Sequence, residues 1–561
     1  METESDKKVT KQDKPTIGGK GKRYGNRNRK PNRNKKPKPN NKPNENQADG
    51  GGTGEYQDPF WYAKDKQAIN NMANYPFLEV VGSKIGSTSD RVGGLMVINY
   101  NHAISNTTAN LVIDTGNYAT RAAKAFYNYV VQGFTGGVDF EAPDLIMASL
   151  AANSLFALMI EGKRAYSACD YYLQFNKYYA SAMVNGLGFD YDSLVANKAD
   201  FRAEFNLRVA QINKVIAVPK QFFIGDRWEF LASHIFTDTT SPEYSTGFAY
   251  VCNNFLQYDS TAATTGTCLR WYPRSTLTAT SFFTLVDTLI DALDDDDIRS
   301  MFGAIRRVYT DGDLKQLTEL DESLPLSVVH NDVVSAAVHN MSWAMSNVSA
   351  SVDRVIGYLP ASLSTAEAEL VDCPIYQDST GNIICNTLQL GNGFIPYSGG
   401  SSSNTGEDVI LDMYDHMVSP ENVLDITANI QVSLPGDSAT SITIGSTAYS
   451  YYPVRGRSEI ITTVNMVVYS SDTATALYSV TKGGGSPYPV TINNASFFHL
   501  DSHPLIAIST SAIPTYTSDI SFYLGEIDRY TVLSRMDVAR LHDRTMYQLL
   551  LLPENTKSVT K

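Results

Sequence analysis

The feature that most limits what this chain can fold into is its N-terminal stretch. Residues 14–42 carry twelve Lys or Arg and no acid, interleaved with Asn, Pro and Gly and almost empty of large apolar side chains. Such a segment cannot bury enough apolar surface to offset the entropy of ordering it, so residues 1–55 are expected to form a disordered basic arm. The run Gly50-Gly51-Gly52-Thr53-Gly54 supplies a flexible hinge, and a folded body is expected to open at Asp58-Pro59-Phe60-Trp61-Tyr62. Charge divides in the same place: residues 1–50 hold 15 basic and 6 acidic side chains, a net of +9, and the remainder holds 31 and 53, a net of −22. A basic arm on an acidic body points to a polyanionic partner engaged by the arm. Lys20, Lys22, Arg23, Arg27, Arg29, Lys30, Arg33, Lys35, Lys36, Lys38 and Lys42 are the candidate nucleic-acid-binding residues. With no fold to shape contacts to base edges, they would neutralise phosphates without reading sequence. Tyr24 is the arm's one aromatic residue, which leaves base stacking a minor part. The competing reading of the arm is a nuclear-localisation tract or a solubilising tail.

The body is long enough for a large core, at 561 residues in all and 43% hydrophobic. Its first half reads as helix. Pro143-Asp144 opens an apolar segment running to about Gly162, with Pro in the first turn where its missing N–H costs nothing. Asn197 with Asp200 resembles a capping box, followed by the stripe Phe201, Phe205, Val209, Ile212 and Ile216. Further helices are expected at 118–132, 281–293, 297–309 and 331–347. Near residue 375 the character changes. Ile426, Ala428, Ile430, Val432 and Leu434 alternate as in a half-buried strand, and β-rich runs follow at 441–444, 459–469, 474–481 and 505–510. Ser534 and Asp537 signal a last helix, halted by Pro553. The expected class is α+β: a mainly α-helical domain over 56–374, a strand-rich module over 375–526 and a C-terminal helix within 527–561.

No nucleophile elbow, dinucleotide fingerprint, phosphate-binding loop, HExxH or CxxC pair occurs, which removes common enzyme classes; no catalytic residue, metal or cofactor is expected. Asp311-Gly312-Asp313 reads as a turn between helices, and Asp294 to Asp297 as a solvated helix junction with Asp297 near the N-cap of the following helix. His499 and His503 are four apart, but Pro504 argues against a helix that would bring both to one metal. Five cysteines without CxxC spacing suit a reducing compartment, although Cys373 and Cys385 flank the turn signal Asp378 to Asn382 and would face each other across a hairpin. No apolar leader opens the sequence and no stretch approaches 18 uninterrupted apolar residues, which argues against secretion and membrane insertion.

The order and spacing of several short segments resemble the capsid proteins of picobirnaviruses, double-stranded RNA viruses. These are Trp61-Tyr62-Ala63, Tyr75-Pro76-Phe77, Ala142-Pro143-Asp144-Leu145, Tyr178-Tyr179, Ala199-Asp200-Phe201-Arg202, Asp226-Arg227-Trp228 and Ser419-Pro420-Glu421-Asn422-Val423. The arm matches in composition only. The resemblance implies a helical shell domain with a projecting module, symmetric homodimers tiling a small icosahedral shell, and viral RNA held inside by the arm. The viral RNA polymerase is a further expected partner within the shell, no small-molecule substrate is expected, and the protein belongs to the virion after assembly in the host cytoplasm. Related capsids in some cases lose an N-terminal segment, and no residue here is assigned to that step. The alternative is a cellular RNA-binding scaffold that forms no closed particle.

Overall fold

A computed structural model describes residues 93–105, 117–132, 134, 137–171, 179–237, 247–260, 266–341, 373–385, 387–390, 408–413, 417–432, 434, 440–444, 447–471, 474–480, 506–509, 520–524 and 530–551. Helices among them are α1 (Tyr118–Val131), α2 (Ala142–Ala168), α3 (Tyr179–Gly186), α4 (Tyr191–Ala196), α5 (Lys198–Val215), α6 (Phe223–Ser233), α7 (Ala279–Asp291), α8 (Asp296–Val308), α9 (Asp332–His339), α10 (Pro420–Ile426) and α11 (Arg535–Leu550). In the first half the strands are β1 (Gly93–His102), β2 (Ile235–Thr237), β3 (Gly247–Asp259), β4 (Cys268–Pro273) and β5 (Val328–His330). The second half adds β6 (Ile375–Gln377), β7 (Ile383–Cys385), β8 (Leu388–Leu390), β9 (Asp408–Asp412), β10 (Thr440–Ile444), β11 (Thr447–Pro453), β12 (Glu459–Ser471), β13 (Ala474–Val480), β14 (Ile506–Ser509), β15 (Ile520–Leu524) and β16 (Tyr530–Ser534).

Most helix starts follow from local chemistry. Asn117 caps α1 by accepting from the Ala119 and Thr120 amides, and Glu141 and Asp144 form a capping box that starts α2 with Pro143 in its first turn. Ser534 accepts from the Asp537 amide at 3.1 Å to begin α11. Two expectations are corrected. Asn197 precedes α5 but its side chain does not cap it; the amide donates back to the Ser193 carbonyl at 2.8 Å, closing α4 instead. Asp295, not Asp297, caps α8 by accepting from Asp296 N–H. The stripe on α5 is buried at Phe201, Phe205, Val209 and Ile212, and Ile216 lies just past the helix, also buried.

Among its described residues the first half is mainly helical, as expected, but its helices pack on a large sheet that the sequence did not announce. A nine-stranded sheet runs β13-β12-β1-β3-β4-β6-β7, with β2 joining β3 to β5. At its centre β1 lies antiparallel to β12, with Met96 opposite Met466, and parallel to β3, with Ile98 opposite Tyr250. Residues Leu95 to Tyr100 are all buried, so β1 is covered on both faces and shows no apolar–polar alternation. That is why a period-2 reading passes over it. The parallel β1–β3 pair needs a long crossover, which α1 to α6 supply.

Helix α2 packs along β3 with α1, α6, α7 and α8 around it. It is long and apolar enough to cross a bilayer, with a mean hydropathy of 1.6 over its most apolar window, but 94% of that window is enclosed by protein. It extends to Ala168, six residues beyond the expected end at Gly162. Its approach to α6 is close: a Cβ on Gly225 would meet Asn153 Oδ1 at 1.9 Å. An aromatic cluster of Phe201, Phe282 and Phe283, with ring centroids 4.9 to 5.2 Å apart, joins α5 to α7.

A second, smaller core gathers Ala336 of α9, Leu411, Met413, Ile426, Ile430, Val432, Leu434, and Val538 and Ala539 of α11. The alternation over 426–434 is a set of buried contacts here rather than a strand. Ser419 caps α10, so Ile426 ends a helix, and among the described residues of this span Val432 alone makes a β-bridge, to Arg455. The expected runs at 441–444, 459–469, 474–481 and 505–510 are strands β10, β12, β13 and β14. Because β6, β7, β12 and β13 belong to the same sheet as β1, β3 and β4, dividing the chain at residue 375 does not divide the sheet.

Candidate functional site

The eleven arm residues proposed to bind nucleic acid, from Lys20 to Lys42, lie outside the described residues, as do His499 and His503. Among the described residues no group of three or more His, Cys, Asp or Glu side chains is placed to hold a metal ion. Asp311–Asp313 forms a single 3-10 turn after α8, with Thr310 Oγ1 bonded to Asp313. Asp294 and Asp296 both pair with Arg299 at the α7–α8 junction. Among the described residues two pairs have the residue types of a nucleophile and its base: His234 Nδ1 lies 2.7 Å from Ser327 Oγ, and His102 Nδ1 lies 2.7 Å from Ser154 Oγ. Burial pushes the His102 imidazole down to about 3, however, and the ring is stacked on Trp228 at 4.2 Å with Phe255 at its edge. Ser154 Oγ accepts from the Leu256 amide. This pair is a neutral polar link between β1, α2 and β3.

Among the described residues, two of the short segments that carry the resemblance act in the same way, tying elements together. In Asp226-Arg227-Trp228 of α6 the three side chains reach two distant parts of the chain, Lys315 and the start of β12. Asp226 pairs with Lys315 at 2.9 Å. Arg227 places two guanidinium nitrogens on Glu459 Oε1 at 2.7 and 3.1 Å. Trp228 donates from its indole to the Ser458 carbonyl at 2.9 Å. Glu459 is fully buried at the start of β12, so the ion pair is also a choice of which strand α6 sits beside. Asp144 of the α2 start accepts from Thr267 Oγ1 at 2.6 Å, tying the helix to the start of β4. Ser419 accepts from the Asn422 amide at 3.2 Å, and Asn422 donates to the Met417 carbonyl.

A second buried network was missed from the sequence. Glu161 of α2 accepts from the Cys252 amide at 3.0 Å and pairs with Arg274. Arg164, one turn on, donates to the Leu231, His234 and Tyr250 carbonyls at 3.1, 3.2 and 2.7 Å. Glu161 and Arg164, which stand with Lys163 in the last two turns of a helix otherwise apolar beyond its first turn, were the available signal, since charges are buried only when partnered. On the surface, the second core presents large apolar side chains to solvent: Met417 is 73% exposed, Val418 58%, Val532 47% and Val333 42%.

Three comparisons bear on what this arrangement is. A solved structure, "X-ray crystallographic structure of the picobirnavirus capsid", aligns with a TM-score of 0.67 at 21% identity, covering 90% of this chain and 100% of that one. A human picobirnavirus protein described as "Capsid protein precursor" is 22% identical over 303 residues, covering 50% of this chain and 53% of the relative's length. The sequence profile of the family described as "Picobirnavirus, Capsid protein" matches residues 71–453. That span is more than half of the chain and holds all but the first of the quoted segments, so the chain belongs to the picobirnavirus capsid protein family.

Proposed function

We propose that this protein is a structural coat subunit that self-assembles as symmetric homodimers into a small icosahedral shell and packages viral RNA non-specifically through its basic arm. The family match over residues 71–453 carries this reading. Internal architecture supports it: the side chains that stand out in the sequence are used to join helices to a two-sided sheet, as a load-carrying subunit requires. Isologous pairing is the commonest way for identical subunits to associate, and the exposed apolar residues around the second core are where such a contact is best sought. The projecting part is best sought within residues 375–526 outside β6, β7, β12 and β13, which are committed to the main sheet. The protein resides in the virion after assembly in the host cytoplasm, with the viral polymerase enclosed beside the RNA.

Negative-stain microscopy of the purified full chain tests the shell: uniform closed particles are expected, and their absence under all assembly conditions would favour an RNA-binding scaffold. The arm is tested separately. Replacing Arg27, Arg29, Lys30, Arg33, Lys35, Lys36 and Lys38 by Ser should yield shells of unchanged form with little RNA. If about six to ten basic side chains engage phosphates together, wild-type affinity falls roughly 10³- to 10⁵-fold between 50 and 200 mM salt, and the Ser variant flattens that slope. Equal RNA content and equal salt slope would place the contact on the folded body.

A further inference from the structure

All five cysteines are buried, and two of them meet. Cys268, the first residue of β4, and Cys373, two residues before β6, have their sulfurs 3.4 Å apart although 105 residues separate them in sequence. The expected neighbours do not meet in this way: β6 and β7 form the anticipated hairpin, with its turn at Asp378 to Asn382, but Cys385 stands opposite Ile375 in the register. Cys373 is turned instead toward the next strand inward. A disulfide has its sulfurs about 2.05 Å apart, so bond formation asks for roughly 1.4 Å of approach, within the reach of side-chain rotation and a small backbone adjustment.

We infer that Cys268 and Cys373 form a redox-set disulfide that staples the outer hairpin β6–β7 to the interior of the main sheet. The place is mechanically apt. Among the described residues the order β4-β6-β7 ends the sheet, β6 and β7 are three residues each, and β6 meets β4 in register pairs at Cys268 and Leu269 with one further backbone bond, from Gln377 N–H to the Thr267 carbonyl. A sheet edge so short opens readily, and this admits the oxidant and gives the bond something to hold. The oxidant is a low-molecular-weight disulfide of the glutathione class. The Cys373 thiol, the more accessible at 3% exposure against 0%, loses its proton and attacks one sulfur of that disulfide, releasing one small thiol and leaving a mixed disulfide. Cys268, deprotonated in turn, attacks the Cys373 sulfur and releases the second small thiol. Two protein thiols and one small disulfide thus become one protein disulfide and two small thiols. The pair stays open in a reducing compartment and closes in an oxidising one.

The test uses the full-length protein purified under reductant and equilibrated with oxidised and reduced glutathione, then quenched by alkylation and mapped by peptide mass spectrometry. A cross-linked pair of peptides containing Cys268 and Cys373 is expected, together with a rise in Tm on the order of 5 °C, from the entropy removed by closing a loop of this length in a domain of this size. Cys268→Ser and Cys373→Ser should abolish both effects, while Cys385→Ser should keep both. Alkylation of both thiols after oxidation, a Cys373–Cys385 cross-link, or a Cys268–Cys373 bond that leaves Tm unchanged would overturn the inference. The mapping and the Tm comparison are made on the wild-type chain, so a variant that fails to fold does not protect the proposal.

Discussion

Helix α11 carries two adjacent buried ionisable groups whose acid responses oppose each other. His542 is fully buried with neither ring nitrogen bonded, and burial, reinforced by the Arg457 guanidinium, holds its imidazole well below the ordinary 6.5. Asp543 has one carboxylate oxygen sealed without a partner, and burial pushes it up to about 7 against an ordinary 3.8, with Arg455 drawing it partly back. When α11 undocks, both groups regain ordinary values. Below pH 6.5 the undocked His binds a proton that the docked His refuses, so docking weakens as pH falls, by about 1.4 kcal/mol per unit. Between pH 7 and 3.8 the docked Asp holds a proton that the undocked Asp has lost, so docking strengthens as pH falls by at most the same slope, an upper figure because Asp543 keeps some solvent contact. Over pH 6.5 to 5 the two largely cancel. Asp543→Asn removes the second effect alone, so docking of α11 should weaken by about 1.6 kcal/mol between pH 6.5 and 5, where the undocked His goes from half to fully protonated, roughly a 15-fold rise in opening. His542→Leu should do the reverse, strengthening with acid, and should stabilise at all pH values by about 1–3 kcal/mol because an unpaired buried imidazole is gone. Hydrogen exchange of the 535–550 amides, corrected for intrinsic rate at each pH, reads the opening directly. Identical pH profiles for wild type and Asp543→Asn would refute the reasoning.

Three further outcomes follow from the packing. Gly225→Ala should lower stability by about 1–3 kcal/mol in thermal melts, although Ala is the better helix former, because its Cβ would meet Asn153 Oδ1 at 1.9 Å; a stabilised variant would mean that α2 and α6 separate at little cost. Arg227→Met should cost about 3–5 kcal/mol by removing the cation bonded to buried Glu459, which keeps the Ser458 hydroxyl and only the unbonded charge of Arg457; denaturant unfolding measures it, and a loss below about 1 kcal/mol would show the pair to be dispensable. Deleting residues 1–55 should leave a body that folds and assembles, because the arm has no apolar content to add to a core; an insoluble product, or one unfolded by circular dichroism, would give the arm a structural part.

The charge division between arm and body, the starts of α1, α2 and α11, the apolar stripe of α5 and the strands β10, β12, β13 and β14 were legible along the chain, because capping, periodicity and composition are local. The central sheet was not. Strands β1 and β3 are buried on both faces, and a continuously apolar run has no period by which to tell strand from buried helix. Nor could any local rule pair β1 with a strand beginning at Glu459, which makes residue 375 a change of composition and not an edge of the sheet. The same limit governs the polar residues. Arg227, Glu161 and Cys373 are visible as unusual residues in their surroundings, yet what each one meets, Glu459, Arg274 or Cys268, lies between 105 and 232 residues away. Partnership at that distance is decided by how the sheet is ordered, since burial forces every charge and thiol to settle with whatever the topology brings beside it.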